Sequence, residues 1–161
     1  MPEKIPAWAA RYVGIPFADA AEESAGGLHC WGLVRLVLAR AAGLDLPAYG
    51  EIGARELAAL ALFAGEAARE PWLPVMGPPR ALDVALMRGP ARAVSHCGIM
   101  VSPSHVLHVE AAHDSVVVAV SHASVRRRII GFFRHRALAG HDLDTVMLRD
   151  GGASSSHERR S

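Results

Sequence analysis

Leu28-His29-Cys30-Trp31-Gly32-Leu33-Val34 is the stretch on which the reading of this chain turns. Gly26 and Gly27 lead into it, an apolar run carries it to Ala42, and Gly43 closes that run. The pattern predicts a loop that delivers Cys30 to the first turn of a buried helix. Trp31, Val34, Leu38 and Ala41 form one helical stripe, widened by Leu33, Leu36 and Val37. A helix N-terminus leaves backbone N–H groups unpaired and carries partial positive charge. Both favour a thiolate, the reactive form of cysteine, and the same N–H groups can bind an oxyanion. The simpler reading of Cys30 is a small hydrophobe packed in the core.

Working outward, Pro6 to Val13 reads as a short helix and Ala18 to Gly27 as a surface loop. Ala54 to Glu70 reads as a second amphipathic helix, with Leu57, Leu60, Ala61 and Ala64 on its apolar face. The proline-rich run from Pro71 to Pro79 can be neither helix nor central strand, and reads as an extended connector. Beyond it the pattern turns to β. Strands are expected at Asp83–Met87, His96–Val101, Val106–Ala111, Ser115–Val120 and Arg128–Arg134, joined by short loops that suit antiparallel hairpins. Helices followed by strands indicate an α+β fold, the N-terminal helices packed on a central antiparallel sheet. Residues 1–139 form one domain, and residues 140–161, with little to bury, are expected to be a disordered tail.

Composition excludes several functions. The 161 residues carry a formal net charge of +1, too little for nucleic-acid binding driven by bulk charge. Two cysteines cannot build a disulfide framework. No apolar run reaches the length of a membrane span, and the N-terminus has no secretory signal pattern. A substrate outside the cytoplasm would therefore require another means of delivery.

Nine histidines supply partners for the thiol. His96 opens one expected strand and His108 lies inside the next. Strand alternation puts His96 on a face with Gly98 and Met100, and Cys97 on the other with Ile99 and Val101. Two such histidines suit a base and its orienting partner. A metal site built from Cys30, Cys97, His96 and His108 lacks the close ligand pairs of structural zinc centres. The basic run Arg126-Arg127-Arg128 reads first as a solvated strand end.

Taken in order, Tyr12-Val13-Gly14-Ile15-Pro16-Phe17, His29-Cys30-Trp31-Gly32-Leu33-Val34-Arg35, Asp83-Val84-Ala85-Leu86-Met87-Arg88, Ser95-His96-Cys97-Gly98-Ile99-Met100-Val101 and Val106-Leu107-His108 resemble the NlpC-type cell-wall cysteine peptidases. The Arg-rich strand from Arg126 to Arg134 resembles the phage-tail and gene-transfer-agent branch of that family. The resemblance spans about Trp8 to His135. It implies a papain-like fold and hydrolysis of peptidoglycan stem peptides, usually after γ-D-glutamate, without metal or organic cofactor. It implies Cys30 as nucleophile, His96 as general base and His108 as the residue that orients His96. Tyr12, His29 and Trp31 would line the substrate cleft. Partners would be the stem peptide and phage-like tail-tip or baseplate proteins, with the protein carried in a tail or virion. Two departures stand out: His29 replaces the usual Asp before the cysteine, and Cys97 replaces an aliphatic residue. A non-catalytic tail module, or an amidase or acyltransferase of the same fold, are the alternatives.

Overall fold

The computed structural model describes residues 4–19, 26–47, 71–89 and 92–140. The helix expected over Ala54 to Glu70 and the tail beyond residue 140 lie outside them, as does part of the loop before Gly26. The described elements are α1 (Ala7–Ala10), α2 (Cys30–Ala42), β1 (Trp72–Pro74), β2 (Val84–Arg88), β3 (Val94–Ser102), β4 (His105–Glu110), β5 (His113–Ala119) and β6 (Ile129–His135). A single 3-10 turn, Arg136–Leu138, follows β6. Strand order is β1-β6-β2-β3-β4-β5, and every neighbouring pair is antiparallel. The fold is α+β, as the order of apolar patterns predicts. Among the described residues no helix is long and apolar enough to cross a membrane.

α2 forms where the sequence predicts it. His29, in extended conformation, caps its start by accepting the Gly32 N–H at Nδ1, 2.9 Å. Gly43, at φ 66°, ends it in the left-handed conformation that closes so many helices. Trp31, Leu33, Val34, Val37, Leu38 and Ala41 are buried. They join Val84, Leu86, Cys97, Ile99, Val101, Leu107 and Val109 in the larger of two core clusters. Ala85, Met87, Met100 and Val106, from the alternate strand positions, form a smaller cluster with Val125 from the turn before β6. The central strands are thus buried on both faces, which explains their nearly unbroken apolar sequences.

α1 is shorter than the predicted Pro6–Val13 because tertiary bonds take over its C-terminal end. Ser115 Oγ donates to Tyr12 O at 2.5 Å and accepts from Ile15 N at 2.8 Å. Gly14 N donates to Ser115 O at 2.8 Å. The proline-rich connector does contain a strand: β1 pairs with β6 at the sheet edge, with Pro74 as its last residue, a place where a missing N–H is tolerated.

Gly98 is required by close approach. A Cβ there would lie 2.7 Å from Val106 Cγ2, 2.9 Å from Leu107 O and 3.1 Å from His108 Cβ. The neighbours belong to a strand interior that has little room to yield. Gly98→Ala should therefore destabilise the fold by roughly 1–3 kcal/mol, the usual range for overpacking. Chemical denaturation of the two proteins measures this; a loss below about 0.5 kcal/mol would show that β4 moves aside freely.

Candidate active site

The N-cap geometry of α2 places Cys30 at the first helical residue, half-buried, facing a cleft of about 700 Å³. Phe17, Asp19, His29, Trp31, Ser95, His96, Glu110 and Arg128 are among the residues that line the same cleft. Its size suits a small peptide fragment.

His96 arrives from β3. Regular alternation places Cys97, Ile99 and Val101 against α2 and would aim His96 away from it. The β2–β3 register breaks immediately before His96, running from Met87↔His96 to Arg88↔Val94. Ser95 is the extra residue. Such a bulge bends a strand and re-aims its side chains. His96 opens on the cleft with Cys30 while remaining largely buried, and His108 lies behind it, 2% exposed. His96 Nε2 and His108 Nδ1 are 2.9 Å apart. With Nε2 so engaged, Nδ1 is the nitrogen left for the thiol.

The electrostatics favour charge on Cys30. A hydrogen bond from the Cys97 thiol holds Cys30 well below the ordinary thiol range. Burial opposes this, but hydrogen bonding and charge from His96 and the Cys97 backbone N–H add to the lowering. Cys97, fully buried, is pushed well up, first by the same hydrogen bond and then by burial. One thiol ionises and the other serves as its donor. Burial, with charge repulsion from His96 next, lowers His108 to about 4, so it is a neutral partner.

A prediction follows for Cys97. Cys97→Val removes the donor and keeps an apolar side chain of similar size. The pH midpoint for alkylation of Cys30 by iodoacetamide should rise, since a hydrogen bond to the thiolate is what holds it down. An unchanged or lower midpoint would remove Cys97 from this role.

Two further groups complete the site. Glu110 Oε1 lies 3.4 Å from His96 Nε2 and accepts from Arg128 Nη2. Glu110 Oε2 lies 3.3 Å from His113 Nε2. Burial alone would raise the Glu110 carboxyl; Arg128, helped by His96, instead holds it down at about 2. The ligand atoms of His96, His108 and Glu110 fall within 4.8 Å of one another. Their chemistry is that of a hydrogen-bond relay, because the ring nitrogens bond each other and Arg128 covers Glu110.

Neither a protein-family model nor a curated protein matches this sequence. Solved structures do. A lipoprotein-like NLP/P60-family protein from Staphylococcus aureus subsp. aureus Mu50 superposes with a TM-score of 0.57 at 19% identity. The match covers 80% of this chain and 39% of that one, so this chain spans about two-fifths of that protein. The NlpC/p60 domain of the peptidoglycan hydrolase SagA superposes with a TM-score of 0.51 at 17% identity, covering 80% of this chain and 92% of that domain. The chain has the NlpC/P60 fold.

Within this NlpC/P60 fold, Cys30, His96 and His108 come together as one cluster. His29 lines the cleft, although its Nδ1 is committed to the helix cap. Trp31 lines it too, but is 1% exposed, with Nε1 donating to Pro47 O at 3.0 Å. Tyr12 is a correction. It is fully buried in the larger core cluster, ring centroid 6.4 Å from Trp8, and is not among the cleft residues. The Ser115 bonds at residues 12 to 15 turn its segment into the core. Sequence reasoning missed Glu110 and Arg128. Glu110 has the same strand parity as His108, which is a usable signal. Arg128 was expected to begin a strand with its neighbours in solvent. Arg126 and Arg127 are indeed exposed, whereas Arg128 turns inward to Glu110.

Proposed function

We propose that this protein is a cysteine hydrolase of peptidoglycan stem peptides, of the γ-D-glutamyl endopeptidase type. The observation that carries the reading is Cys30 at the start of α2, with its charge favoured and His96 backed by His108 on one cleft. The hydrolase character of SagA and the ordered motifs from Tyr12 to His108 support the substrate class.

Cys30 thiolate attacks the scissile carbonyl. The Cys30 backbone N–H, at the positive end of α2, stabilises the oxyanion. His96, protonated, gives its proton to the leaving amine. Water, deprotonated by His96, then attacks the thioester, the acid product leaves, and the Cys30 thiolate with protonated His96 is restored. Incubation with purified muropeptides, read by mass spectrometry, tests this. Release of a fragment cut after γ-D-glutamate is expected. Intact muropeptides would reject the endopeptidase reading, and loss of a terminal amide or transfer of an acyl group would assign an amidase or acyltransferase.

His29 bears on specificity. A carboxylate at this position would attract a substrate ammonium group, and His29 Nδ1 is an acceptor committed to Gly32. Asp is an equally good helix cap, so His29→Asp keeps α2. The variant should raise the preference for free-amine over N-acetylated muropeptides, measured as a ratio of kcat/KM, by up to about 5-fold, about 1 kcal/mol of exposed charge pairing. An unchanged ratio would make His29 a cap alone.

Delivery by a phage-like tail is the accompanying proposal. The Arg-rich strand and the order of motifs support it, and the exposed Arg126 and Arg127 offer a basic docking point for a tail-tip or baseplate protein. The protein should copurify with tails or particles from a producing cell. A soluble pool with none on particles would overturn this and leave the hydrolase reading intact.

A further inference from the structure

We propose that Glu110 is a positioning residue that fixes the tautomer of His96, with Arg128 as its anchor. The inference rests on the reading of Cys30 and His96 as nucleophile and base.

A histidine pair has an ambiguity that a carboxylate does not. Across the 2.9 Å contact, either His96 Nε2 or His108 Nδ1 can be the donor. If His108 donates, the neutral His96 ring carries its proton on Nδ1, toward Cys30, and has no lone pair to accept the thiol proton. If His96 donates, Nδ1 is free to act as base. An ionised carboxylate can only accept. Glu110 Oε1, 3.4 Å from His96 Nε2, is therefore favourable only when Nε2 carries the proton. It selects the productive arrangement.

The surroundings keep Glu110 in that role. Arg128 donates to the same oxygen, and is itself tied down through Nε to Arg88 O at 2.8 Å and Nη1 to Ser124 O at 3.3 Å. His113, from β5, faces the other carboxylate oxygen. The carboxyl, held at about 2, is ionised throughout the neutral range. The groups around His96 are thus Cys30 from α2, His108 and Glu110 from β4, and Arg128 from the turn before β6, with His113 beyond Glu110 on β5. Glu110 is the negative charge that faces Nε2, 3.4 Å away.

The test uses the full chain, labelled with 15N-histidine, carrying Cys30→Ala so that the thiol proton does not enter the readout. At a pH where the ring is neutral, the two ring nitrogen shifts of His96 report which one carries the proton. With Glu110 present, the Nε2–H form should dominate. Glu110→Gln should raise the Nδ1–H fraction severalfold, because the amide can donate as well as accept. Arg128→Gln should raise the Nδ1–H fraction less than Glu110→Gln does, since the anchor is loosened but the carboxylate remains. In the protein that retains Cys30, Glu110→Gln should lower kcat roughly 10-fold to 100-fold, less than the roughly 10⁴-fold for tautomer loss in a serine-protease triad, because His108 remains, with KM within about twofold. An unchanged tautomer in Glu110→Gln would overturn the proposal. So would equal disturbance by Glu110→Gln and Arg128→Gln, the signature of a merely structural ion pair. The nitrogen shifts need no substrate, so they stand whichever bond the enzyme cleaves.

Discussion

Cys30→Ala should abolish muropeptide hydrolysis, with a fall in kcat of roughly 10⁴-fold or more, as expected when the nucleophile of a concerted catalytic unit is removed. The fold should survive, because Cys30 packs only at the margin of the core, whereas the buried stripe of α2 is untouched. In the unaltered protein, limiting iodoacetamide near neutral pH should label Cys30 before Cys97. The order follows from the opposite displacement of the two thiols and from access: Cys30 faces the cleft and Cys97 is fully buried. Peptide mapping by mass spectrometry reads the order. Preferential labelling of Cys97, or turnover that persists in Cys30→Ala, would remove Cys30 as nucleophile.

Arg134→Ala, outside the site, should cost substantial stability. Asp83 is 1% exposed, and its carboxylate accepts from Arg134 Nε at 2.7 Å and Nη2 at 2.8 Å. Arg80 N adds a third bond at 2.9 Å. The two-pronged contact holds β6 to the start of β2, and its hydrogen bond keeps Arg134 firmly charged. Removing one partner of a buried pair leaves an uncompensated charge, which costs about 3–5 kcal/mol. Arg134 is itself 23% exposed on its side chain, so water reaches the pair, and the Arg80 bond remains. The lower end, about 3 kcal/mol, is therefore expected. For a chain of this size that lowers Tm by roughly 6–12 °C. Asp83→Asn combined with Arg134→Gln should recover much of the loss, since neither charge is then stranded. A cost below about 1 kcal/mol for Arg134→Ala would class the contact with ordinary surface pairs.

Local chemistry and periodicity were enough to read the frame of this protein. The Cys30 helix, its glycine stop at Gly43, five of the six described strands and the α+β order all follow from side-chain spacing, because helix and strand periods are properties of the local chain. His96 and His108 were legible as candidate partners for a helix-borne thiol because each sits in a strongly patterned strand, but their assignment to Cys30 came from the family resemblance, not from the pattern. Strand β1 escaped because its prolines argue against a strand, and only its place at the edge, beside β6, makes one acceptable.

The rest was decided by packing between segments distant in sequence. Tyr12 is core because Ser115, more than 100 residues on, bonds the backbone beside it. Cys97 tunes Cys30 because α2 lies on the face of β3 that carries it. The bulge at Ser95 turns His96 to the cleft, and no residue type announces a register break. Arg128 reaches Glu110 only because the turn before β6 folds back beside β4. Sequence patterns specify which face of an element is apolar. Which polar groups meet across two such elements depends on register, twist and loop path, and those are set only when the whole sheet closes on its helix.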